Sequence, residues 1–365
     1  MAQALRKAGN RVTIATLDKT NLERIYAKYG LACEPDCEVF LVPHVFETDS
    51  LMSRGLLALA FLFAESVLLR LKKYDLIINT SGELVNFVED IAYINAVPLR
   101  AAFDYPESLP IQNSWWRCCS KVYDLWLKAV ADRLNKNSLL LTNSKFTANI
   151  IERKFDRRAL VVHPPVDSEE FSSLSEKKRH DNLVLSASRF RAGKTLEHVP
   201  KVAKHVKNSK FLIVGPSDKA SETTISAIQV LAERLGVHDR VQLLTNEPIS
   251  FLRKAMSEAK VFLHTQSFEA FGMAVVEAMA AGCVPVVPRN GGPWFDVLDE
   301  KQGRYGYSYR SVGEAADIIM MLLEDEELRR QVSARARKRA MAFDRTIFEK
   351  KILDVINKVY AAKSG

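Results

Sequence analysis

At 365 residues, with 47% hydrophobic side chains and only 15 glycines and 13 prolines, the chain exceeds a usual single core and has a globular composition. This excludes disordered and collagen-like classes and favours two domains. A formal net charge of +8 favours acidic partners such as anionic lipid or a phosphate-bearing small molecule; no long Lys/Arg block or aromatic-plus-basic signature points to nucleic acid.

MAQALRKAGN predicts a helix ending near Gly9 and RVTIATL a strand, so the chain opens as though a segment preceded it. EVFLVP, YDLIINT, PLRAAF, SLLLTNS and ALVVHPP follow as strands separated by helical stretches. The window GLLALAFLFAESVLL at 55–69 is too short to span a bilayer and carries Glu65; a core helix is expected, with membrane contact the alternative. Five cysteines, Cys33, Cys37, Cys118, Cys119 and Cys283, show no zinc spacing, so reduced thiols, a cytoplasmic setting and no metal centre are expected.

A polar, proline-led stretch at 164–180 reads as a connection. Beyond it the grammar restarts: NLVLSAS, KFLIVG, RVQLLT, AKVFLHT and CVPVVP as strands, each followed by a helical segment or turn, and after about 311 only helices. Strands alternating with helices of ten or more residues predict two parallel α/β domains joined near residue 170, with a helical tail long enough to brace the first.

Three segments carry chemistry. SRFRAGK puts Arg189 and Lys194 in the turn after a strand, where an arginine fork and a lysine charge suit a diphosphate, or are merely solvated cations. In FEAFGMAVVEAMAAGCVPVV, Glu269 falls in the turn after the next-but-two strand, and Glu277 lies inside the following helix among Val275, Val276, Ala278 and Met279. A carboxylate in such a run is costly unless paired, and two vicinal sugar hydroxyls, like a nearby cation, would satisfy it. The N–H groups of Gly272 and Met273 at the helix start could face a phosphate, and the glycine pair in PRNGGPWFDVL permits close backbone approach, or is an ordinary turn.

In this order the motifs resemble the donor half of the retaining GT-B glycosyltransferases of family four, whose mark is a loop Glu and a helix Glu seven residues between, here Glu269 and Glu277, preceded by an Arg and a Lys five apart, here Arg189 and Lys194. The resemblance implies two Rossmann-like domains facing across a cleft: 1–165 on the acceptor side, 166–340 binding the nucleotide sugar, and 341–365 crossing back. It implies that Arg189 and Lys194 neutralise the leaving diphosphate, that Glu269 holds sugar hydroxyls and Glu277 the ribose, that Phe271, Gly272 and Met273 line the donor, and that no metal or other cofactor is needed. TNSKFTANIIERKF, VVHPPVD and GGPWFDVL are similar to the mannosyltransferases that extend lipid-linked oligosaccharides with GDP-mannose on the cytosolic membrane face.

Two departures accompany the resemblance. Family members begin with a strand and glycine-rich loop, so a truncated start is expected, and Asp104 stands where relatives place a histidine before Tyr-Pro. Asp104 is a candidate catalytic-side residue or a strand-end cap. NSWWRCCSKVYDLWLKAVADR interleaves Trp115, Trp116 and Trp126 with Arg117, Lys121 and Lys128, which suits a bilayer interface or polyprenyl-phosphate acceptor as well as core burial. The alternatives to a membrane-peripheral mannosyltransferase are a soluble UDP-sugar-dependent glycosyltransferase and an inactive nucleotide-sugar-binding relative.

Overall fold

The computed structural model describes residues 1–16, 36–40, 74–80, 89–98, 138–173, 179 and 182–364. Asp104, Trp115, Trp116, Trp126 and the apolar window at 55–69 lie outside the described residues. The described residues divide into two compact units, one taking those up to 98, 138–141 and 349 onward, the other 142–348.

In the first unit, helix α1 (Ala2–Lys7) precedes strands β1 (Thr13–Thr16) and β2 (Cys37–Phe40), which pair in parallel with Thr13 opposite Cys37. Strands β3 (Ile78–Asn79), β4 (Ile91–Ile94) and β5 (Leu139–Thr142) are neighbours, in that order, in a second sheet, with β4 fully buried. Among the described residues these are two sheets rather than one. The C-terminal helix ties into this unit through ion pairs from Lys7 to Glu349 at 3.4 Å and from Lys363 to Asp90 at 2.9 Å.

The second unit opens with α2 (Lys145–Phe155), which starts where the Ser144 hydroxyl accepts from the Thr147 N–H at 3.0 Å and ends at Asp156 in the left-handed region, φ +50°. Strand β6 (Leu160–Val161) follows. The predicted polar connection contains a short helix, α3 (Ser168–Ser172), because Phe171 is buried to 3% exposure in the core. Its acidic first turn, Glu169 and Glu170, suits a helix start.

Then come β7 (Leu183–Ala187), α4 (His198–His205), β8 (Lys210–Gly215), α5 (Glu222–Arg234), β9 (Val241–Thr245), α6 (Ile249–Glu258), β10 (Val261–Leu263), α7 (Met273–Ala280) and β11 (Val284–Pro288). A π-helical turn covers Pro293–Val297. After it run β12 (Tyr307–Tyr309), α8 (Val312–Glu324), α9 (Glu326–Ala340) and α10 (Arg345–Ser364). Strand β12 is too short to show an alternating pattern in sequence; it pairs with β11 at the sheet edge.

All six strands of this sheet run parallel, in the order β12-β11-β10-β7-β8-β9. The side-chain period of two separates the core into two faces. Leu185, Leu212, Val214, Phe262 and Val287 pack on one side with α7, and Val184, Phe211, Ile213, Val261, Leu263 and Val286 on the other with α4 and α8. Covering both faces explains why these strands are apolar at nearly every position. Helix α7 lies close against its neighbours because Ala278, Ala280 and Ala281 are fully buried. The strand order reverses between β7 and β10, so the loops leaving their carboxyl ends diverge, and an α/β sheet binds its ligand in the crevice such a switch opens.

Candidate donor site at the sheet switch point

The loop after β7 carries Arg189 and Lys194, and the loop after β10 carries His264, Gln266 and Glu269. Two threonines clasp the loops together. Thr195 Oγ1 donates to the Thr265 carbonyl at 2.6 Å, and Thr265 Oγ1 donates to the Lys194 carbonyl at 2.7 Å. The clasp holds Thr195 in the left-handed region, φ +47°, a conformation a β-branched residue seldom adopts and one that such sites maintain through surrounding contacts.

That geometry aims Lys194 across the crevice. Its Nζ donates to Glu269 Oε2 at 3.0 Å and to Gln266 Oε1. Arg189 is exposed, and its charge reaches Glu269. Burial pushes the Glu269 carboxyl up, but Lys194, His264 and Arg189 together hold it below the usual carboxylate range. Burial also pushes His264 down to about 4, against the raising influence of Glu269. The imidazole is therefore neutral at pH 7, and the charges that keep Glu269 ionised there are Lys194 and Arg189. The His264 Nε2 is buried with no hydrogen-bond partner among the described residues.

The Glu269 loop is braced from behind. The Gly292 N–H donates to the Glu269 carbonyl at 2.8 Å, and a Cβ on Gly292 would fall 2.2 Å from the Ala270 carbonyl oxygen. On that ground the glycine pair is required by close backbone approach. Gly292→Ala is expected to displace the Glu269 loop and cut donor turnover on the order of 10²-fold, as small misplacements of reacting groups do. Turnover within twofold of wild type would show that the loop tolerates the shift.

The PWFDV turn that follows is anchored by Asp296, whose carboxylate is fully buried. Its oxygens accept from the N–H groups of Lys145 at 2.7 Å and Phe146 at 3.2 Å, and bond His163 Nε2 at 2.9 Å. A carboxylate at a helix N-terminus satisfies free donors and complements the helix dipole. Phe146 then wedges between Phe268, 5.2 Å edge-on, and Phe295, 5.8 Å stacked. These contacts group α2 with the second unit although it precedes the polar connection.

Helix α7 begins at Gly272, φ +92°, with no side-chain cap. The Val275 and Val276 N–H groups bond back to the Gly272 carbonyl, so the first N–H groups of the helix, including that of Met273, have no partner within it. The ring of Phe271 is buried against His163 and Phe343, with centroids 5.5 and 5.3 Å away.

Glu277 sits on the same helix, apart from the Lys194–Glu269 pair. No hydrogen bond to its carboxyl is made among the described residues. Burial first, and then the Asp167 carboxylate, raise it to about 7, while Arg253 pulls the other way. With the folded value above the unfolded one, the group's stabilising contribution is complete below about 4.5 and is lost as pH rises through about 7. Glu277→Gln, which does not titrate, is expected to gain several degrees in Tm over wild type at pH 8 and little at pH 4.5 by thermal scanning. An equal shift at both pH values would rule out the buried titration.

The structure brings Arg189, Lys194 and Glu269 together, places Gly272 and Met273 at a free helix start, and puts Glu277 farther along the same helix. His264, Gln266, Asp296 and His163 are additions that no spacing in the sequence marks. Among the described residues, no group of three or more His, Cys, Asp or Glu converges as a metal site.

Residues 167–339 match the family Glycosyl transferases group 1. A GDP-Man:Man(3)GlcNAc(2)-PP-Dol alpha-1,2-mannosyltransferase of Dictyostelium discoideum is 25% identical over 277 residues, 70% of this chain and 54% of that protein. The Homo sapiens protein of the same name is 30% identical over 241 residues, 61% and 49%. The chain thus matches about half the length of these curated relatives. Two solved structures share the fold: sucrose-phosphate synthase from Thermosynechococcus elongatus, TM-score 0.76 and 17% identity over 99% of this chain and 92% of that one, and Anabaena HepE in complex with UDP and glucose, TM-score 0.72 and 16% identity over 98% and 94%. The strand order with its switch point, the clasped loops and these matches lead to one assignment: the chain has the GT-B fold, and its residues 167–339 are similar to the group 1 glycosyl transferases.

Proposed function

We propose that this protein transfers mannose from GDP-mannose, with retention at the anomeric carbon, to a lipid-linked oligosaccharide on the cytosolic face of a membrane. The observation that carries the reading is the meeting of Lys194 and Glu269, 3.0 Å apart across the switch point, beside Arg189 and the open start of α7. Cations and free N–H groups suit a diphosphate, and carboxylates suit sugar hydroxyls. GDP and mannose rest on the names of the curated relatives.

In this reading Arg189, Lys194 and the N–H groups of Gly272 and Met273 hold the diphosphate, Glu269 takes hexose hydroxyls, and Glu277 takes the ribose. The bond from the anomeric carbon to the β-phosphate oxygen breaks with its electron pair on the oxygen, where the two cations stabilise the developing charge, while an acceptor hydroxyl oxygen bonds that carbon from the same face and gives its proton to the departing phosphate oxygen. Glu277 binds as the carboxylate, so sugar hydroxyls must offset the burial that otherwise keeps it protonated near neutrality. Asp104 belongs to the sugar side, and Trp115, Trp116 and Trp126 to the acceptor or membrane side. The first unit is taken as the acceptor domain and the second, 142–348, as the donor domain, which moves the boundary expected near residue 165 ahead of α2.

A donor screen tests this. The full chain is incubated with GDP-mannose, UDP-glucose or UDP-N-acetylglucosamine and a polyprenyl-diphosphate oligosaccharide. Transfer from GDP-mannose at least tenfold faster than from either UDP sugar is expected, a discrimination of about 1.4 kcal/mol. Faster transfer from a UDP sugar overturns the donor assignment, and binding of none of the three overturns the site.

A further inference from the structure

Lys194 and Glu269, the groups assigned to the diphosphate and to the hexose, are bonded to each other. The ion pair is 3.0 Å long, and the side chains are only 20% and 24% exposed. Gln266 Oε1 holds the same ammonium from a second side, so Lys194 stays within reach of Glu269 whichever partner it takes. While the two are paired, Lys194 is the first of the neighbours that hold the Glu269 carboxyl below the usual carboxylate range against its burial.

We infer that this ion pair is the product-release element of the donor site, an inference that rests on the donor-site reading above. A diphosphate approaching Lys194 competes with Glu269 for one ammonium. The nucleotide sugar resolves the competition, since its hexose hydroxyls donate to the carboxylate that Lys194 gives up. Once the bond to the anomeric carbon has broken, with the electron pair left on the phosphate oxygen, the nucleoside diphosphate carries more negative charge and offers Glu269 no hydroxyl. Its anion then lies beside a carboxylate with no partner, in a setting shielded from water where like charges repel strongly. Glu269 retakes Lys194 and the diphosphate leaves. The pair therefore favours the intact donor over the spent one, a discrimination that cations alone would reverse.

Titration calorimetry on the full chain with GDP and with GDP-mannose tests the inference. Glu269→Gln is expected to bind GDP about tenfold more tightly than wild type, as removal of one like-charge contact requires, and GDP-mannose no more tightly; Glu269→Ala is expected to tighten GDP likewise and to weaken GDP-mannose, whose hexose hydroxyls lose their acceptor. Wild-type protein provides a test that needs no variant: saturating free mannose, by restoring hydroxyls to Glu269, tightens GDP binding several-fold, and this synergy is lost in Glu269→Gln. If wild type binds GDP but the variants bind it equally or more weakly, or mannose has no effect, the release role is wrong and the donor site stands. If wild type binds neither GDP, UDP nor their sugars, the donor-site reading falls and this inference with it.

Discussion

Lys194→Ala is expected to lower kcat/KM for the proposed mannosyl transfer by about 10² to 10³-fold, the usual cost of removing one preorganised charge from a developing anion. Two losses combine. The leaving diphosphate loses a cation, and Glu269 loses the ammonium 3.0 Å from its carboxylate. Burial pushes Glu269 up, and Lys194 is first among the neighbours that hold it down. Without Lys194 its carboxyl titrates at higher pH, so the acid limb of the pH-rate profile moves upward along with the fall in rate. Lys194→Arg restores the charge on a planar fork that does not reproduce a point ammonium between Gln266 and Glu269, and is expected to recover part of the loss. Steady-state kinetics across pH 5 to about 9 read both effects, a range that spans ordinary carboxylate and imidazole titration. A Lys194→Ala enzyme within threefold of wild type would remove Lys194 from the mechanism.

The largest expected effect on stability belongs to Asp296→Ala. The carboxylate is fully buried and serves Lys145 N–H, Phe146 N–H and His163 together. Truncating it leaves two helix-start donors and an imidazole without an acceptor, and breaking such a buried cluster costs about 3–5 kcal/mol. For a unit of roughly 200 residues that corresponds to a Tm loss on the order of 10 °C. Asp296→Asn keeps the volume and one acceptor oxygen and is expected to lose less. Thermal unfolding followed by circular dichroism measures both; an Asp296→Ala Tm within 2 °C or so of wild type, under the shift expected for 1 kcal/mol, would mean that α2 finds other partners. The consequence extends to the site, because Phe146 on α2 packs against Phe268, next to Glu269.

These two residues differ in how far they could be read in advance. Lys194 stands in a strand-end turn with Arg189, and Glu269 and Glu277 bracket a helix start; strand, turn and helix periods are local, so the placement of Arg189, Lys194 and Glu269 at carboxyl ends of strands and of Glu277 inside the helix followed from the sequence. The resemblance to family-four transferases rested on the same local spacings. Asp296 lies 151 residues from the Lys145 N–H it serves, and nothing in GGPWFDVL marks its partner. The same holds for His264, whose strand-end position suggested no role, and for Phe271, where a ring that resembles a ligand contact in sequence packs into the core.

By itself, then, the sequence determined, for the second unit, the alternation of strand and helix, the doubly covered parallel sheet and the residue types at its strand ends, because hydrophobic period and turn chemistry act over a few residues. Tertiary structure alone decided that β7 and β10 are neighbours at the reversal of strand order. That choice brings Lys194 to Glu269 across 75 residues of chain. It is set by the crossovers that pack helices on both faces of the sheet, and no window of sequence contains both loops. Tertiary structure likewise decided that Glu277 shares its surroundings with Asp167 and is raised to about 7, since a carboxyl's charge state depends on the water and the charges that folding places around it.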